Sequence, residues 1–226
     1  MEAFIISKKN HKYIITMNLK PIIYAAVRVV LYAIPVVASA MIIKSDAGIL
    51  IDGGKFGEGS STEWMQQLFL LLTSLIFILA GVRSKSHKAI SYLFGGGALV
   101  ALIRELDVYF DQIYHGAWFP FAIAVLAIAI FLAYRQKKQI WENLEEFFTT
   151  PSFGVFTAGF LGVFVFSRLF GTKKVWRALF DVDKLEPVQR WVKNAVEEGS
   201  ELFGYTLLFI AAVEFFVYVS RKLKNR

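Results

Sequence analysis

Apolar positions in this chain arrive in long uninterrupted blocks. They do not follow the three-to-four spacing that gives a half-buried helix one wet face. A helix needs about 20 mostly apolar residues to cross a hydrocarbon layer of roughly 30 Å. Six blocks meet that length, at 22–43, 65–82, 89–106, 117–134, 153–170 and 202–220. The pattern therefore predicts an all-α, polytopic integral membrane protein with about six transmembrane helices, and no internal repeat or composition break divides residues 1–226.

Between the blocks, three segments carry patterns of their own. The loop 45–63 is rich in Gly and Ser, and Asp52-Gly53-Gly54 between Ile49-Leu50-Ile51 and Phe56 reads as a short hairpin. In 139–148, Ile140, Trp141, Leu144, Phe147 and Phe148 alternate with Glu142, Glu145 and Glu146. This is the pattern of an amphipathic helix lying at a membrane surface. Residues 172–196 hold Trp176, Leu179, Phe180, Trp191 and Val192 among charges, with Pro187 between two halves. Two interfacial helices are expected there, with the Trp rings at headgroup depth.

Composition narrows the class. Apolar residues make up 56% and charged residues only 19%, against about 25% charged in a typical soluble domain. Too few polar residues are present to coat a soluble fold, which excludes an ordinary soluble enzyme and a disordered chain. There is no cysteine, so neither a disulfide scaffold nor a thiolate metal site is available.

The formal charge of +7 is unevenly placed. The N-terminal segment 1–20, the second and fourth loops and the tail 221–226 hold 14 basic and four acidic residues, whereas the other three loops hold ten basic and 13 acidic. Lys/Arg excess marks cytoplasmic loops. Both termini are therefore expected in the cytoplasm, in a cell membrane, with 172–196 outside. Lys8, Lys9, His11 and Lys12 interrupt any apolar signal core before Met17. The basic balance follows topology and anionic lipid. The lipid bilayer is thus the expected partner, with further copies of the chain or other membrane subunits beside it, and no nucleic acid.

Small residues mark expected helix contacts. Gly154, Ala158 and Gly162 recur on one face of the fifth block, and Gly95-Gly96-Gly97 lies in the middle of the third. Such residues let helices approach closely where lipid supplies no hydrophobic drive.

Charges inside spans cost about 2.5–3.5 kcal/mol each on insertion scales, so each needs a reason. On one continuous helix, Asp107, Asp111 and His115 fall within an arc that also takes Arg104, while Glu105, Tyr109 and Gln112 share another face. A second group, Asn194, Glu197, Glu198, Glu201 and Tyr205, begins the sixth block, with Asn194, Glu197 and Glu201 on one face. Carboxylates at a helix start are favoured by the dipole. The expected topology brings both groups and Arg168 to the same outer depth.

Three chemistries fit that convergence. Carboxylates can concentrate or relay cations and protons. Asp107, Asp111, His115 and Glu201 could ligate a divalent metal, as in a metal-dependent membrane hydrolase. The plainer reading is an ion-pair network joining Arg104 and Arg168 to Asp107, Asp111 and Glu201, in a non-catalytic assembly or sensing subunit. No two-His metalloprotease motif, di-metal Glu-x-x-His motif or nucleotide loop occurs. The leading expectation is an outward polar pocket for ion, proton or small-solute handling. Arg28 and Glu214, at equal depth from the inner boundary, are expected to form an intramembrane ion pair. His11 and His87 receive no role. Ser167 and Thr73-Ser74 are expected to hydrogen-bond to their own helices.

Overall fold

The computed structural model describes residues 3–8, 11–16, 19–49, 56–57 and 59–225. The hairpin expected around Asp52-Gly53-Gly54 lies outside the described residues. The chain divides into two units, 1–38 and 39–226.

The first unit holds two strands, β1 (Ala3–Lys8) and β2 (His11–Thr16), and the first part of helix α1 (Lys20–Asp46). The strands pair antiparallel from Ala3↔Thr16 to Lys8↔His11. This hairpin departs from an entirely helical chain. Its sequence signal is two β-branched and aromatic runs, Phe4-Ile5-Ile6 and Tyr13-Ile14-Ile15, around a polar Lys8-Lys9-Asn10-His11.

The second unit is helical. After the end of α1 come α2 (Ser61–Arg83), a 3₁₀ turn at Lys85–His87, α3 (Lys88–Glu105), α4 (Asp107–Asp111), α5 (Trp118–Tyr134) and α6 (Lys137–Phe148). Helix α7 (Pro151–Leu161) passes through a π-helical stretch, Gly162–Ser167, into α8 (Arg168–Gly171). Helices α9 (Lys173–Phe180) and α10 (Pro187–Lys224) follow. Neighbours pack in the order α5–α3–α2–α10–α7.

Among the described residues, five helices are long and apolar enough to cross a membrane: Lys20–Asp46, Ser61–Arg83, Lys85–Glu105, Pro151–Gly171 and Pro187–Lys224. The expected sixth, Trp118–Tyr134, has 17 residues and meets α6 at a 97° bend. That bend separates the amphipathic α6 from the apolar α5, as the alternation of its side chains requires.

Local chemistry sets the helix ends. Ser60 caps α2 by accepting the Glu63 amide at 3.2 Å, and the buried Asp46 accepts both the Thr62 amide and its hydroxyl at 2.6 Å. These bonds satisfy donors that a helix start leaves open. At α10, Glu186 and Gln189 form a reciprocal capping box, and Pro187 occupies the first turn where no N–H is needed.

Three expectations are corrected here. The segment expected to hold two interfacial helices forms only α9 as a separate helix, because Pro187 begins α10 rather than interrupting a surface helix. Trp176 is buried, its indole N–H donating to the Phe170 carbonyl, so it packs inward rather than anchoring at a surface. The close helix contact also shifts by position. A Cβ on Gly154 would meet nothing within 4 Å, whereas one on Gly159 would lie 2.7 Å from the Gly204 carbonyl oxygen. A Cβ on Gly204 would lie 2.5 Å from a Val163 methyl. The α7–α10 crossing therefore closes on Gly159 and Gly204, and of the expected residues Gly162 also takes part, since a Cβ there would lie 3.6 Å from the Gly204 Cα. At the α3–α5 crossing, a Cβ on Gly96 would fall 2.3 Å from that of Ala129.

Candidate functional site

One end of α3, α8 and α10, with the start of α2, surrounds a cavity of about 270 Å³. Six carboxyl side chains line it: Glu63, Glu105, Asp107, Glu197, Glu198 and Glu201. Arg104, Arg168 and Asn194 complete its polar wall. Of the residues expected from sequence, Arg104, Asp107, Arg168, Asn194, Glu197 and Glu201 thus meet at one cavity.

The contacts are specific. Arg104 Nη1 lies 3.0 Å from Glu105 Oε1, and Tyr205 donates its hydroxyl to the same oxygen at 2.8 Å. Arg168 Nη2 is 3.4 Å from Glu201 Oε1, and Ser167 Oγ is 3.0 Å from that oxygen. Lys193 reaches Glu197 one turn along α10. Gln66 Nε2 donates to Glu198, at 3.1 Å from the carbonyl and 3.0 Å from Oε2. Gln67 Nε2 lies 3.2 Å from both Glu63 Oε1 and the Glu105 carbonyl. Glutamine is suited to this task, since its amide offers two donors to acceptors on neighbouring helices.

Three readings of these residues change. The helix expected to run on through His115 ends at Glu105, and Asp107 begins a separate short α4. The arc calculated for Asp107, Asp111 and His115 therefore does not exist. Asp111 turns away from the cavity, accepting the Gly116 amide at 2.8 Å and lying 3.1 Å from Nδ1 of the fully exposed His115. The set Asp107, Asp111, His115 and Glu201 does not converge on one metal position. Among the described residues, no three His, Cys, Asp or Glu side chains do.

The second change concerns α10. Glu197 is its eleventh residue, well past the first turn, where the dipole effect has faded. Hydrogen bonds and ion pairs stabilise these acids instead. The third concerns Glu105 and Glu198, which the face assignment set aside. Glu105 is the acid that Tyr205 and Arg104 address, and Glu198 is the one Gln66 addresses. The break after Glu105 and the crossing of α2 over α10 place them there.

Arg28 belongs to the first unit and Glu214 to the second, both half-buried.

A second polar cluster lies at the opposite end of α10. Glu146 Oε1 receives Tyr218 Oη at 2.6 Å and Lys222 Nζ at 2.5 Å, and lies 3.1 Å from His87 Nε2. His87 is buried, with Nδ1 2.7 Å from Ser84 Oγ. Burial pushes the Glu146 carboxyl up, but the hydrogen bonds from Lys222, Tyr218 and His87 outweigh it and hold it down at about 2. This cluster ties α6 to α10 and gives His87 the structural role that sequence left blank.

Fold and site together define a mainly helical chain with, among the described residues, five helices fit to cross a membrane and an acid-lined cavity. Neither the protein-family models, nor the curated proteins, nor the solved structures compared with it contain a match.

Proposed function

We propose that the protein is a multi-pass membrane protein that handles cations or protons at the acid-lined cavity. The observation that carries this reading is the balance of the wall, six carboxyl groups to two guanidiniums around one open space. Such a surface attracts cations and repels anions. Because the acids surround the space without three of them converging, they suit a hydrated cation or a proton passed between neighbours better than a tightly chelated metal. In this reading Arg104 and Arg168 set the charge of Glu105 and Glu201, and Gln66 and Gln67 orient the carboxylates from α2.

The same proposal takes α5 as a sixth span with α6 lying along the surface, and places the protein in the cell membrane with both termini cytoplasmic. The Lys/Arg distribution supports that orientation. The test is flux of H⁺, Na⁺ and K⁺ into proteoliposomes. Glu201→Gln and Glu105→Gln are expected to abolish the flux at normal expression and oligomeric state; undiminished flux in both removes the proposal.

A further inference from the structure

Beneath the acid cavity lies a second one, of about 250 Å³, whose wall is almost wholly apolar. On one side it has Phe94, Gly97, Ala98 and Ala101 of α3. On the other it has Phe156 and Phe160 of α7 with Phe164 of the π-helical stretch. Its back is formed by Leu70 and Thr73 of α2 and Tyr205 and Leu208 of α10. The α3 and α7 sides are not neighbours in the helix row, so the cleft opens between them. Gly97, Phe160 and Phe164 are exposed along its mouth, and a Cβ on Gly97 would meet nothing within 4 Å.

The two cavities are stacked in register on three helices. On α3, Ala101 faces the cleft and Arg104 and Glu105 the acid cavity. Phe164 stands to the cleft as Arg168 does to the cavity, and on α10 Tyr205 and Glu201 repeat the relation. Each step is three or four residues, about 5 Å along a helix. The bond between Tyr205 and Glu105 is the boundary between them. Thr73 adds an independent sign of an occupant. Its side chain is buried at 2% exposure and lines the cleft, yet its hydroxyl makes no hydrogen bond, either to its own helix as expected or to a neighbour. A hydroxyl without a partner in an apolar setting is costly to keep, and a small rotation of the side chain would turn it to a ligand carbonyl or ester oxygen in the cleft.

From this stacking we infer that the two cavities together bind one amphiphile, a membrane lipid with an ammonium-bearing headgroup. One hydrocarbon chain lies in the α3–α7 cleft and the ammonium lies among the carboxylates. The inference rests on reading the upper cavity as a cation site, and it names the class of cation. Hydrocarbon is the solvent at the depth of the cleft. The headgroup is fixed by charge complementarity: the six acids favour an ammonium, and Arg104 and Arg168 at the rim can meet the phosphate of a zwitterionic lipid. A purely anionic headgroup would meet the acids unpaired.

The experiment is native mass spectrometry of the full chain, released from vesicles containing equal phosphatidylethanolamine and phosphatidylglycerol. Phosphatidylethanolamine is expected to be retained about tenfold over phosphatidylglycerol, the ratio that corresponds to about 1.4 kcal/mol. Gly97→Leu, which fills the cleft from a position with free space and a helix-favouring side chain, is expected to remove that retention. Ala101→Leu provides a second filling variant, and Gly154→Leu, at an open position outside the cleft, should retain lipid as the parent does. Preference for phosphatidylglycerol, no lipid retained, or equal retention in both filling variants overturns the inference. Flux is measured on the same preparations. Flux abolished by Glu201→Gln with lipid retention unaltered by both filling variants removes the amphiphile and leaves the cation site; retention lost in those variants with flux insensitive to Glu201→Gln removes the transport reading instead.

Discussion

Tyr205 donates its hydroxyl to Glu105 Oε1 at 2.8 Å, across 100 residues of sequence. The bond joins α10 to the last residue of α3 and separates a charged cavity from an apolar one. Tyr205→Phe leaves the Glu105 oxygen with Arg104 as its remaining partner, so the cost is that of one hydrogen bond, about 0.5–1.5 kcal/mol. A lower thermal unfolding midpoint in detergent is expected, and an unchanged midpoint would show that the bond is not held.

At the other end of α10, Glu146 joins α6 to Tyr218 and Lys222. A carboxyl held below its ordinary value stabilises the folded state wherever it is ionised. That contribution is fully present above about pH 4.5 and fades as pH falls towards about 2. The thermal midpoint should therefore drop across this window in the parent protein. In Glu146→Gln it should be lower at neutral pH and respond less across the same window. Unfolding scans at several pH values check both.

The α7–α10 crossing has no room for a methyl group at Gly159, which faces the Gly204 backbone. Gly159→Ala is expected to destabilise by about 1–3 kcal/mol, as overpacking of a close contact does. Gly154→Ala, five residues earlier in open space, should leave the protein at least as stable. Equal midpoints for the two variants would contradict the crossing.

Asp111 and His115 pair with each other outside the cavity. Asp111→Asn and His115→Ala should therefore leave cation flux and metal content at parental levels. A loss of flux in either would return them to the site.

The expected helices were legible because their lengths and apolar blocks suffice to define them; α2, α3 and α6 lie close to where the pattern put them. The cavity was legible in part, since depth along a span can be counted from the boundary, and that count brought Arg104, Asp107, Arg168, Glu197 and Glu201 together. Rotation about a helix axis is less secure. A single break after Glu105 turned Asp111 away and left Glu105 facing Tyr205. Gln66 and Gln67 carried no signal, since an uncharged amide in an apolar block costs little and stands out little; their role depends on which helix α2 packs against. The N-terminal strands were missed because their residues are also plausible flanks of a first helix.

The order of the helix row bears on how the protein is made. Helix α10 follows the other described helices in the sequence, yet it stands between α2 and α7. Until residues 187–224 leave the ribosome, Gln66 lacks Glu198 and Glu105 lacks Tyr205. A chain truncated before α10 thus leaves the Gln66 amide bare and Glu105 with Arg104 alone. Until α10 packs, no other helix in the row joins α2 to α7.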